Sequence, residues 1–175
     1  RTVPAGAAIV AGAALLLLRP TTAADPNRAW ILGLVYASVL AMSVAPRLQA
    51  DRPRLHPLVV LAAGAAAVLL VRLNADRVVP PSRYAVGIAL SLGAAVAEEA
   101  YFRRLWYAGL ARFGAAAAVA GAAVVFAAMH YPGYGFAAMP VDFGAGLLLG
   151  WQRWASGSWT ISAVTHGLAN LLVSV

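Results

Sequence analysis

The chain has 175 residues, 62% of them apolar and 11% charged, with a mean hydropathy of +0.78. Soluble domains are about 45–50% apolar, so an ordinary soluble fold is excluded, and the absence of Cys excludes disulfides, thiolate metal sites and a Cys nucleophile. The net charge of +7 does not signal nucleic acid, because the arginines punctuate apolar runs instead of forming a patch, as short loops under the positive-inside rule do.

These features point to an all-α fold: one polytopic transmembrane helical bundle of about seven spans, in contact with the lipid bilayer. All 13 basic residues are Arg, which with the Ala richness is expected of a GC-rich bacterial genome. A multi-pass protein of a bacterial inner (cytoplasmic) membrane is therefore expected. The chain starts at Arg1 instead of Met, which leaves its natural start open. The first apolar run lacks a small-residue cleavage site followed by a soluble domain, so it reads as a span and not a signal peptide.

Span one is expected over about 2–18, ended by Arg19-Pro20; a polar linker with the turn signal Asp25-Pro26-Asn27 follows. Span two runs over about 30–44, with Trp30 as an interfacial anchor. A linker with Arg47, Asp51, Arg52, Pro53 and Arg54 leads to span three, about 57–71, bordered by an interfacial His56. The next linker holds Arg72, Asp76, Arg77, Pro80, Pro81 and Arg83.

Span four begins near Tyr84, but its apolar stretch ends at Ala97. Those residues rise only about 21 Å, too short for about 30 Å of hydrocarbon. The helix must therefore run on through Glu98-Glu99-Ala100-Tyr101-Phe102-Arg103 to about Ala111, which puts Glu98 near mid-span. Arg112-Phe113-Gly114 makes the turn into span five, about 115–130, and Tyr131-Pro132-Gly133-Tyr134-Gly135 is expected to break that helix. Span six, about 141–154, carries Gly146 and Gly150 at a small-xxx-small spacing that permits close helix approach. Asp142 reads as its cap. Span seven starts at Trp159 and runs to the C-terminus, and Trp106, Trp151, Trp154 and Trp159 read as interface anchors. Counting Arg on alternate sides gives eight (Arg1, Arg47, Arg52, Arg54, Arg103, Arg104, Arg112, Arg153) against five (Arg19, Arg28, Arg72, Arg77, Arg83), which favours an inside N-terminus.

Glu98 and His130 each lie 16 residues from Gly114. If spans four and five form a hairpin turning there, equal helical rise brings the two to the same depth. His166 falls mid-way along span seven, and Asn170, four residues on, shares its face. A Glu, two His and an Asn can thus converge at one level. Glu99 and Arg103 stand at i, i+4 with Glu first, the better orientation for an ion pair, so Glu99 is expected to pair with Arg103. Glu98, about 100° round the helix, is left free for chemistry. Phe126 reads first as a core aromatic, and a lone His as a satisfied core residue; inside a membrane span the balance moves toward function, because ionisable groups there are costly.

Glu98-Glu99-x-x-x-Arg103, Phe126-x-x-x-His130 and His166-x-x-x-Asn170, in that order, resemble the CPBP family of intramembrane proteases, which includes the type II CAAX prenyl endopeptidases and the abortive-infection (Abi) proteins. The resemblance covers about 84–175, which would make 1–83 accessory N-terminal spans and the last four spans a catalytic core within a single membrane-embedded domain. It implies a glutamate-dependent endopeptidase acting on a membrane-associated protein or peptide. Glu98 would activate water with His130, His166 and Asn170 would stabilise the oxyanion, and Glu99, Arg103 and Phe126 would support the site. No cofactor is expected on this reading. The alternative is zinc held by His130, His166 and Glu98; against it, there is no His-Glu-x-x-His pattern, and Asn is a poor zinc ligand. By family analogy the expected substrates are membrane-embedded tails of exported proteins, such as C-terminal sorting tails, or small hydrophobic peptides. Two other functions compete: a non-catalytic immunity or scaffold protein of the same fold, and a proton-coupled transporter built on the buried Glu and His. The complete motif set argues against the first, and the absence of repeated halves against the second.

Overall fold

The computed structural model describes residues 4–48, 51–74 and 85–172. The expected contributions of Arg1, Asp76, Arg77, Pro80, Pro81, Arg83, Tyr84 and the last three residues lie outside them. Among the described residues the chain is all helical, in seven helices: α1 (Ala5–Leu17), α2 (Arg28–Val44), α3 (Pro57–Asn74), α4 (Ala85–Phe113), α5 (Ala115–Tyr134), α6 (Met139–Ser156) and α7 (Trp159–Leu172). Four stretches, Ala5–Thr22, Pro57–Asn74, Ala85–Phe113 and Ala115–Tyr134, are long and apolar enough to cross a membrane by themselves. Helix α2 is apolar but shorter. The architecture is that of a helical membrane bundle.

Helix α4 is the axis of the molecule. It is α-helical over Ala85–Glu99, widens to a π-helix over Ala100–Trp106, and closes through Tyr107–Leu110 and a 3₁₀ turn at Ala111–Phe113. Every residue from Ala97 to Arg103 is buried, which a helix achieves only when neighbours surround it. π segments inside α-helices commonly mark functional sites, and this one begins directly after the two glutamates.

The α4–α5 hairpin turns at Gly114, whose φ of 102° lies where only glycine is unstrained. Helix α5 does not break at Tyr131 as expected. It continues through Pro132 to Tyr134 and stops at Gly135, with φ 77°. Pro132 sits in the last turn, where the lost N–H bond costs few downstream contacts, and Gly135 N–H closes the end on Tyr131 O at 2.9 Å. Helix α1 ends at Leu17, just before Arg19-Pro20 as expected. A 3₁₀ turn, Pro20–Thr22, carries the helical path past Arg19.

Helices α5 and α6 pack through Gly146 and Gly150, as the spacing predicts. A Cβ on Gly146 would lie 2.9 Å from Ala123 Cα, and one on Gly150 3.1 Å from Val119 Cγ1. The N-terminal helices dock on the later ones by polar ties. Tyr101 Oη donates to Ile9 O (2.7 Å). Gln152 Nε2 donates to Val60 O (3.0 Å) and Thr165 Oγ1 (2.9 Å). Arg104 donates to the Ser43 and Pro46 carbonyls. Arg54 N and Leu55 N both donate to Ala155 O. A core of Leu16, Val35, Val39, Tyr101, Phe102, Leu105 and Phe126 joins α1, α2, α4 and α5.

Candidate functional site

Helices α4, α5 and α7 bring Glu98, His130 and His166 together. Glu98 Oε2 lies 3.5 Å from His130 Nε2 and 4.0 Å from His166 Nε2. The equal-arm spacing about Gly114 therefore has its expected result. His130 Nδ1 is 2.8 Å from Phe126 O, which can only accept, so Nδ1 carries a hydrogen and Nε2 faces Glu98. The His130 ring leans on Phe126, with centroids 4.3 Å apart, and stacks on Tyr134 at 5.8 Å.

His166 Nδ1 donates to Glu99 Oε1 at 2.9 Å. The other oxygen of Glu99, Oε2, meets Arg103 Nε at 3.1 Å, so the expected i, i+4 ion pair is present. It is an ionic contact and not an aligned hydrogen bond, since the Arg103 Nε–H finds no acceptor along its axis. Arg103 also donates to Gly146 O (3.1 Å) and lies over the Phe126 ring at 4.6 Å. Phe126 thus touches Phe102, Arg103, His130 and His166, and is the apolar hub of the site. Asn170 donates to Ser91 O (3.0 Å) and lines the same cavity as Glu98 and both histidines.

That cavity has a volume of about 820 Å³. Arg19, His130 and His166 surround Glu98 in its lining, while Leu32, Val68, Val71, Leu90 and Leu148 are among the apolar lining residues. Such a mixture suits an apolar ligand fixed by a few polar groups.

Two expectations are corrected. Glu98 is not free: Arg19 Nη1 is ion-paired to Glu98 Oε1. The two glutamates are therefore matched by two arginines, Arg19 on Glu98 and Arg103 on Glu99. Asp142 does not cap α6. The helix starts earlier, with Ala138 as its N-cap and no side-chain cap bond, because Pro140 is accommodated in the first turn. Asp142 instead lines the cavity, and its Oδ2 is buried without a hydrogen-bond partner among the described residues. Arg19, Tyr36, Tyr134 and Asp142 are among the cavity residues that sequence reasoning did not place there. An arginine before a proline at the end of an apolar run reads as a boundary marker, and nothing local to it says which way it points. Arg103 and Arg153 are buried as well, so three of the arginines counted as loop charges face the interior in whole or large part.

Among the described residues no three His, Cys, Asp or Glu side chains are arranged to hold a metal ion. His130 and His166 each have Nδ1 held by a neighbour and Nε2 turned to Glu98, whose other oxygen is ion-paired to Arg19.

A family model described as "Type II CAAX prenyl endopeptidase Rce1-like" matches residues 80–172, just over half of the chain. The matched stretch holds Glu98, Glu99, Arg103, Phe126, His130, His166 and Asn170. Comparison with curated proteins and with solved structures gives no match.

Proposed function

The chain belongs to the type II CAAX prenyl endopeptidase Rce1-like family, and from that premise we propose that it is an intramembrane endopeptidase hydrolysing a peptide bond of a membrane-associated protein or peptide. The observation that carries the proposal is the meeting of Glu98 Oε2 with His130 Nε2 and His166 Nε2 at the wall of a largely apolar cavity. Buried ionisable groups in a membrane bundle are retained for function by default.

In the proposed reaction a water held between Glu98 Oε2 and His130 Nε2 is the nucleophile. With its Nδ1–H committed to Phe126 O, a neutral His130 presents a lone pair at Nε2 and orients the water by accepting one of its hydrogens. Glu98 Oε2 takes the other proton as the water oxygen bonds to the scissile carbonyl carbon. The carbonyl oxygen becomes an oxyanion facing His166 Nε2 and the Asn170 amide. With Nδ1–H given to Glu99, His166 Nε2 donates only in the imidazolium form, for which Glu99 is the counter-charge. Collapse of the tetrahedral intermediate breaks the C–N bond, and the proton held by Glu98 passes to the leaving amine. No metal takes part in this scheme. The substrate class that fits the apolar walls is a hydrophobic segment, such as a C-terminal sorting tail, entering from the lipid.

The test is cleavage of a hydrophobic peptide library by the detergent-purified protein, with and without a strong chelator, beside Glu98→Gln. The expected result is cleavage that survives chelation and disappears in Glu98→Gln while the fold is kept. Cleavage retained by Glu98→Gln would falsify the role of Glu98. Cleavage abolished by chelator and restored by zinc would overturn the metal-free scheme.

A further inference from the structure

Arg19 follows α1 at the start of the Pro20–Thr22 turn, outside the residues that the family model matches, and yet its guanidinium contacts the carboxylate at the centre of the site. Its placement is held at several points. Tyr101, three residues beyond Glu98 on α4, donates to Ile9 O, and Gly12 admits the Tyr101 ring so closely that no Cβ would fit. These contacts set the register of α1 on α4. Arg19 Nε then donates to Leu16 O (3.0 Å), which leaves Nη1 aimed at Glu98 Oε1. Thr22 Oγ1 closes the turn by donating to Arg19 O (2.8 Å). The Arg19 side chain is only 15% exposed, so water competes poorly for its charge.

The geometry divides the two oxygens of Glu98. Oε1 belongs to Arg19, and Oε2 faces the histidines. A carboxylate without the first contact could turn about its Cγ–Cδ bond and present either oxygen, or neither, to the histidine pair. We propose that Arg19 is a positioning residue of the hydrolytic site: by fixing Oε1 of Glu98 it holds Oε2 toward His130 and His166. The inference rests on the hydrolytic reading above, and it assigns to the N-terminal part of the chain a role beside Glu98, His130 and His166, which come from the later helices.

The test compares the full-length protein with Arg19→Gln and Arg19→Lys in detergent, reading kcat, KM, thermal unfolding and the imidazole ¹⁵N resonances. The chain has three histidines, so His56 serves as an internal reference. In Arg19→Gln, kcat is expected to fall on the order of 10²-fold, the cost of a misplaced catalytic group, with KM unchanged; the unfolding temperature is expected to fall as well, since Glu98 loses its buried partner, and guanidinium rescue reads the rate apart from that loss. The His130 and His166 resonances are expected to move while His56 stays in place. Added guanidinium ion is expected to restore part of the lost rate, and Arg19→Lys to keep more activity than Arg19→Gln. An Arg19→Gln enzyme with the original kcat, or unmoved His130 and His166 resonances, overturns the proposal. So does a loss of rate that tracks a loss of stability and is not restored by guanidinium. Cleavage retained by Glu98→Gln would instead sink the hydrolytic reading, and the resonances would still report whether Arg19 orders Glu98.

Discussion

The four oxygens of Glu98 and Glu99 have four different neighbourhoods: Arg19, the two histidine Nε2 atoms, the His166 Nδ1–H and Arg103. Substitutions at this scale should therefore separate rate from stability. His166→Ala and Asn170→Ala are each expected to lower kcat by 10²–10³-fold, about 2.7–4 kcal/mol per oxyanion donor, as measured by steady-state cleavage with unfolding temperature as the control. Glu99→Leu removes one member of a fully buried pair and leaves Arg103 uncompensated. It is expected to cost about 3–5 kcal/mol of stability, which detergent thermal unfolding would show as a large drop in midpoint. A midpoint unchanged from the parent would mean that Arg103 finds another counter-charge. The Glu99–Arg103 pair and the depth of His130 were legible in the sequence because both follow from helical geometry alone, i, i+4 in one case and equal rise in the other. Arg19 was not, because its direction depends on how α1 sits against α4. Asp142 was misread because capping depends on where a helix starts, and Met139 and Pro140 start this one sooner.

Between elements, the tightest restraint on the site is the α5–α6 contact. Gly146 lets α6 approach Ala123, and the same closeness brings the Gly146 carbonyl within reach of Arg103. Gly146→Ala should push the helices apart, costing about 1–3 kcal/mol by overpacking. It should also lower activity, because Arg103 loses an acceptor while the glutamates themselves are untouched. Thermal unfolding and cleavage rate measured on the same preparation would check both. An unchanged unfolding temperature would show that α6 has room to slide. The small-xxx-small spacing announced this contact. The π segment Ala100–Trp106 was not announced, since its seven residues read as ordinary helix. The continuation of α5 past Pro132 was also missed, because a proline near a helix end costs less than one in the middle.

At the scale of the molecule, the number and order of helices were readable from apolar run lengths and Arg-rich breaks, while the interlocking of the two halves was not. The N-terminal helices are tied to the later ones by Tyr101, Arg104 and Gln152, and they supply Arg19. A chain beginning at residue 80 is therefore expected to lose cleavage altogether and to elute as an aggregated or broadened species in size-exclusion chromatography. A monodisperse, active fragment would contradict this. The amide of Gln152 carries a further consequence, for biosynthesis. It joins Val60 on α3 to Thr165 on α7, and 92 residues separate Gln152 from Val60. At about 5–20 residues per second, α3 waits roughly 5–18 s in the lipid before the side chain that anchors it has been made. Its Gly64 face, shaped to admit Gln152 and Thr165, stays open to the bilayer for that interval. Nascent chains stalled before α6 should accordingly be degraded faster than chains released after α7, and the ribosome, not the folded protein, is where the fate of this molecule is first decided.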